Sequence, residues 1–191
     1  MRKIISKKES DKKNRRIQLI VGIFLILIMA LSTIGYSLNN NPENNSKKII
    51  YNNIEFVSEN NLWNANIGNF QFGFLYNPTE TEKINSSLDY LNEYDNLPLY
   101  IYSENSDAMM EIYRNLFYYN QIVERLQEAC PEGEICAKEI PIKNCTNNFI
   151  VIKKSEISEI KQEDNCVFIS GKDEELTRIT DGFLFKISGI Q

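Results

Sequence analysis

Twenty-one consecutive uncharged residues, IQLIVGIFLILIMALSTIGYS at 17–37, constrain this chain more than any other feature. As a helix they would extend about 30 Å, the thickness of a bilayer's hydrocarbon core. Residues 17–38 therefore read as a single transmembrane anchor. Arg2, Lys3, Lys7, Lys8, Lys12, Lys13, Arg15 and Arg16 precede it, against Glu9 and Asp11, and no comparable basic run follows. That asymmetry expects a cytoplasmic basic tail at 1–16 and everything after the anchor outside. A cleaved signal peptide is the rival, with small residues at Ala30, Ser32 and Gly35, but the apolar run exceeds a usual signal core of about 7–15 residues. A pilin-type leader fits less well, because Arg16 precedes Ile17 and Val21 occupies the position where such leaders carry Glu.

Residues 39–48, NNNPENNSKK, hold no large apolar side chain and read as a flexible linker with a reach of roughly 17 Å. Residues 49–191 then have the size and aromatic content of one globular domain. The 21 bases and 26 acids of the chain divide unevenly, leaving 13 bases against 24 acids beyond residue 16. This acidity argues against nucleic acid as a partner, since phosphate binding needs a basic surface.

Four cysteines, Cys130, Cys136, Cys145 and Cys166, all follow the anchor. An even number in an exported domain predicts two disulfides, and their wide spacing is unlike that of zinc ligands. Four cysteines allow three connectivities. The Pro- and Gly-containing stretch CPEGEIC can fold back on itself, favouring Cys130–Cys136 with Cys145–Cys166. The second bridge carries a consequence. In a simple antiparallel hairpin of 149–153 with 166–170, Cys145 would lie at the far end from Cys166, out of bridging range. The pairing therefore predicts that these strands run parallel, with 157–160 between them.

The apolar spacing expects strands at 49–57, 62–67 and 70–76, the last placing Phe70, Phe72, Phe74 and Tyr76 on one face. Core packing is the simplest role for that aromatic row. Thr79 and Glu82 after Pro78 suggest a capped helix carrying Ile84, Leu88 and Leu91. A short strand is expected at 98–102. An amphipathic helix begins near Asp107 with Met109, Ile112, Tyr113, Leu116 and Phe117, and either continues to Ala129 or breaks near Asn120 into a strand, continuation being slightly favoured. Strands at 149–153 and 166–170 precede a last helix bearing Leu176, Ile179, Phe183, Leu184 and Ile187. Asp173, Glu174 and Glu175 lie at its positive end and Gly189 at its close. The fold class is α/β or α+β: an N-terminal transmembrane helix, then one mixed domain with a β-rich start and two to three helices.

The chain contains no histidine, which removes the commonest general base, His-based triads and His metal ligands. No serine stands in a nucleophile elbow and no Gly-rich phosphate cradle is present. Glu128, Glu132, Glu134 and Glu139 cluster around the cysteine loop and could in principle supply a hydrolytic carboxylate pair, though a solvated turn explains them more simply. That loop and Asp173-Glu174-Glu175 lack the spaced oxygen ligands of a calcium loop. No catalytic, cofactor or metal residue is assigned, and no cofactor is expected.

Two stretches carry a resemblance. The first runs from Tyr51 through Trp63 to Tyr76-Asn77-Pro78. The second comprises Glu128-Ala129-Cys130, Pro141-Ile142-Lys143-Asn144-Cys145, Asn165-Cys166-Val167-Phe168-Ile169-Ser170-Gly171 and a terminal helix with Asp181, Phe183-Leu184-Phe185 and Ile187-Ser188-Gly189-Ile190. Over most of 49–191 the chain resembles a family of single-pass, extracytoplasmic, four-cysteine proteins of small-genome archaea, uncharacterised in activity. The resemblance supports the architecture and implies no mechanism. The expected function is a non-enzymatic, membrane-tethered binding or envelope-assembly module, with an envelope protein as a possible partner. A carboxylate-dependent envelope hydrolase and a pilin-like filament subunit are the alternatives.

Overall fold

A computed structural model describes residues 7–39, 47–136 and 139–191 of the chain. Arg2, Lys3 and most of the linker lie outside the described residues. The chain divides into two compact units, Met1–Asn45 and Ser46–Gln191.

The first unit holds one helix, α1 (Lys7–Asn39, 33 residues). Its segment Arg15–Ser32 is long and apolar enough to cross a membrane. Within Arg15–Ser32 the large apolar side chains are solvent-facing, among them Ile20, Phe24, Leu27 and Met29.

The second unit is a mixed α+β domain that opens with a four-stranded antiparallel meander. Its strands are β1 (Lys48–Tyr51), β2 (Ile54–Glu59), β3 (Leu62–Ile67) and β4 (Phe70–Phe74), paired in chain order. The single strand expected at 49–57 is instead a hairpin: Asn52 and Asn53 take φ of 46° and 64°, so Tyr51 faces Ile54. Two successive positive φ values make the two-residue turn that matches strand twist, and Asn tolerates them. Asn60 and Asn61 repeat the device before β3, at φ of 52° and 64°. Phe72 and Phe74 are fully buried, while Phe70 lies at the exposed end of the row. Phe74 packs 4.4 Å from the Phe185 ring, so the aromatic row is core.

The helix expected after Pro78 does not form. Asn77 Oδ1 accepts from the Thr79 amide at 2.9 Å, and Glu80 Oε2 accepts from the Asn77 amide at 2.9 Å. Such local side-chain bonds compete with helical ones. The chain continues irregularly to a short 3-10 turn, Leu91–Tyr94, and Ile84, Leu88 and Leu91 still contact the core.

A five-stranded sheet follows: β5 (Pro98–Ser103), β6 (Arg125–Glu128), β9 (Phe149–Lys154), β10 (Glu159–Glu163) and β11 (Cys166–Gly171), ordered β10-β11-β9-β5-β6. All neighbours are parallel except β10 with β11. The pair β7 (Cys130–Pro131) and β8 (Ile142–Lys143) stands apart. Between β5 and β6 lie α2 (Ser106–Ile112), capped by Asn105 Oδ1 on the Ala108 amide at 2.9 Å, and one π-helical segment, Tyr113–Tyr118. The helix thus stops near Asn120, with Gln121 at φ 48°, and does not run on to Ala129. Its apolar positions Ile122 and Val123 are buried in the connection to β6.

The last helix, α3 (Leu176–Ile187), buries Phe183, Leu184 and Phe185. It closes at Gly189, φ 75°, with Ile190 N–H donating to Phe185 O at 2.8 Å and Gly189 N–H to Lys186 O at 3.2 Å. These are the two bonds of a Schellman close. Strand alternation splits the sheet's side chains. Leu99, Ile101, Ile150, Ile152, Val167 and Ile169 share one core with residues of α2, α3 and the meander. Tyr100, Phe149, Val151 and Cys166 form a smaller cluster on the other face.

Both expected disulfides are present, Cys130–Cys136 with Cα atoms 6.0 Å apart and Cys145–Cys166 at 4.8 Å. The strands joined by the second bridge are parallel, as the pairing required, with Phe149 opposite Cys166. Residues 157–160 do not insert between them; this stretch leads into β10, on the outer edge of β11.

Candidate functional site

The carboxylates that sequence singled out do not converge. Glu132, Glu134 and Glu139 are exposed around the disulfide loop, and Glu134 pairs with Lys153 at 2.6 Å. Asp173 is held by Lys154 at 2.8 Å and by Asn105 Nδ2 at 2.9 Å, which keeps its carboxyl below the usual range. Glu175 is turned to Arg178 at 3.1 Å. Among the described residues no three His, Cys, Asp or Glu side chains gather as a metal site.

The face of the five-stranded sheet away from α2 and α3 is built differently. Alternation along β5 turns Tyr100 and Tyr102 to this side, and β11 contributes Phe168. Each ring carries a cation: Lys143 Nζ lies 4.2 Å from the Tyr100 centroid, Lys153 5.9 Å from that of Tyr102, and Lys161 5.4 Å from that of Phe168. Lys153 and Lys161 are balanced by Glu134 and Glu163 at 2.6 and 2.8 Å. Tyr100 stands apart, because two cations serve it and neither has a carboxylate partner among the described residues. Arg125 Nη2 donates to the Tyr100 hydroxyl at 3.0 Å, and Lys143 reaches it from β8. The Arg125 bond first, then that of Lys143, lowers the phenol's pKa from its ordinary value. Two cations thus meet at Tyr100, between the end of β8 and the start of β6. Sequence reading missed this meeting because the three are far apart in the chain: the parallel pairing of β5 with β6 brings Arg125 beside Tyr100, and β8 brings Lys143.

A separate hollow of about 230 Å³ lies between residues 82–86, the start of β10 and α3. Ile84, Ile160 and Ile179 give it apolar walls, and Glu82, Lys83, Glu159 and Arg178 bring mixed charge. Ser86 Oγ there donates to Ile160 O, covering part of the β10 edge.

The second unread cluster is internal. Glu111, Asn115 and Asp181 are fully buried. Glu111 accepts from Arg114 Nη1 at 2.7 Å, and Asp181 Oδ2 accepts from the Tyr76 amide at 2.8 Å. Burial raises the pKa of both carboxyls, and in Asp181 the charge of Glu111 adds to the rise. The visible signal was an acid inside each apolar helical stripe, Glu111 beside Ile112 and Asp181 between Thr180 and Gly182. No family model matches the chain, and no curated protein or solved structure does either.

Proposed function

We propose that this chain is a membrane-tethered, extracytoplasmic binding module that recognises an anionic group of an envelope component through Arg125 and Lys143. The observation that carries the reading is the convergence of these two cations on Tyr100, with no carboxylate paired to either among the described residues. In a region with 13 bases and 24 acids, most cations would be expected to find an acid. Arg is suited to planar anions through its fork of donors, and Lys adds a point charge. Tyr100 holds both side chains over the sheet before a ligand arrives, which reduces the ordering entropy lost on binding.

The tether is α1, whose apolar segment has spanning length, preceded by eight bases that favour a cytoplasmic N-terminus. Two disulfides in the domain support an oxidising compartment outside the cytoplasm. The buried carboxyls give no comparable support to a hydrolase, since a substrate cannot reach side chains that are 0% exposed.

The test uses full-length protein in detergent micelles, passed over resin bearing polygalacturonate, a carboxylated polymer, and over neutral dextran resin. Retention on the first alone, released by salt, is expected. Equal behaviour on the two resins contradicts the reading.

A further inference from the structure

We propose that Glu111 and Asp181 share one proton, and that this proton latches α3 and α2 to the exit of β4 so that the domain's cohesion weakens as pH rises. Each carboxyl has one oxygen engaged, Glu111 Oε1 by Arg114 at 2.7 Å and Asp181 Oδ2 by the Tyr76 amide at 2.8 Å. The remaining oxygens, Glu111 Oε2 and Asp181 Oδ1, are buried and have no hydrogen-bond partner among the described residues. The two carboxyls lie close enough to act on one another. Two carboxylates have no hydrogen to offer each other, so pairing the orphan oxygens requires a proton on one of the two. Charge balance leads to the same place. Arg114 is the cation acting on the pair, and one cation neutralises one carboxylate.

The groups facing the pair can be named element by element. Glu111 and Arg114 come from α2 and the π-helical segment, Asp181 from α3, and backbone amides of Leu75 and Tyr76 from beyond β4. Burial, then the Glu111 charge, raises Asp181 well above the ordinary carboxyl range, which places the proton on Asp181. Its Oδ1–H then donates to Glu111 Oε2, and both orphan oxygens are satisfied at once. Ionising Asp181 would leave two negative charges on one arginine in a dry site, disfavouring the packing of α3 against residues 75–76.

The sign follows from linkage. Unfolded, both carboxyls ionise near about pH 4. Folded, one keeps its proton to higher pH, so the folded state binds more protons over that window. Stability from the pair is therefore complete below about pH 4 and declines as pH rises toward the folded pKa, by at most a factor of ten in the folding constant per pH unit.

Full-length protein in micelles is unfolded with denaturant at several pH values, alongside Asp181→Asn. The Asn side chain donates to Glu111 without titrating. The ratio of wild-type to variant folding constants is expected to fall as pH rises from about 4. A ratio independent of pH overturns the proposal. Should the variant fail to fold, wild-type protein labelled with ¹³C at aspartate carboxyls decides. One aspartate resonance still in its protonated position near about pH 6 supports the shared proton, whereas every aspartate ionised by that pH overturns it.

Discussion

Asn115 pairs with Gly73 as a neighbouring strand would, its Oδ1 accepting from the Gly73 amide at 2.8 Å and its Nδ2 donating to the Gly73 carbonyl at 3.0 Å. Asn120 treats Gln71 in the same way, at 2.9 Å for both bonds. β4 is an edge strand of the meander, and two side chains thus replace the missing neighbour. The π-helical turn makes the match. Tyr119 N–H reaches back five residues to Arg114 O at 3.0 Å, and the widened turn brings residues 115 and 120 into register with strand positions two apart.

Replacing Asn115 with Ala strands the buried Gly73 amide, while the Gly73 carbonyl keeps only the Arg114 Nη1 donor at 3.2 Å. A loss of about 3 kcal/mol is expected from the usual cost of unsatisfied buried groups, measured by denaturant unfolding. Asn120→Ala should lose about 1 kcal/mol or less, because water can reach Gln71. Equal losses would contradict the edge-pairing account.

A side chain at position 73 would collide with what pairs there. A Cβ on Gly73 would sit 3.1 Å from Tyr119 Cε2 and 3.2 Å from Asn64 Oδ1. Gly73→Ala is expected to destabilise by about 1–2 kcal/mol, and adding Tyr119→Ala should recover part of that loss if crowding is its cause.

The two disulfides should differ in weight. Replacing Cys145 and Cys166 with Ser opens a loop of sequence separation 21, against 6 for Cys130 and Cys136. In the chain-entropy model the losses are about 3 and about 2 kcal/mol, to be read from unfolding of each double variant. A larger loss from the 130–136 pair would show that the small loop does more than restrict the unfolded chain.

Tyr100 should ionise at lower pH than an ordinary tyrosine, because Arg125 and Lys143 favour the phenolate. Ultraviolet titration of the wild type against Arg125→Gln/Lys143→Gln should show one phenol moving to higher pH in the variant. Superimposable curves would mean that the two cations do not act on it.

The elements that sequence revealed were those whose signal is local. The uncharged run of α1, the short apolar runs of β5, β9 and β11, the stripe of α3 and its Gly189 close follow from nearest neighbours in one element. The cysteine pairing extended further, because Cys145–Cys166 permitted one strand direction and the parallel β9–β11 pair obeys it. The misses have a common cause. Asn52-Asn53 sat inside an apolar run and was read through, although two asparagines can take the positive φ of a hairpin turn. Ile84, Leu88 and Leu91 kept helical spacing while Asn77, Thr79 and Glu80 bonded among themselves instead. Ile122 and Val123 likewise extended a helical stripe past the turn at Gln121. Arg125, Lys143 and Tyr100 meet through strand pairing, and Glu111 with Asp181 through helix packing, so neither cluster leaves a motif along the chain.

The claim that Arg125 and Lys143 form an anion-binding surface is tested most directly by titrating full-length protein in micelles with polygalacturonate and measuring Kd. Wild-type binding that weakens with salt and falls by about tenfold or more in Arg125→Gln/Lys143→Gln is the expected result, since most of the attraction is between exposed charges. Unchanged Kd in a folded double variant, or no saturable binding by the wild type at low salt, would contradict it.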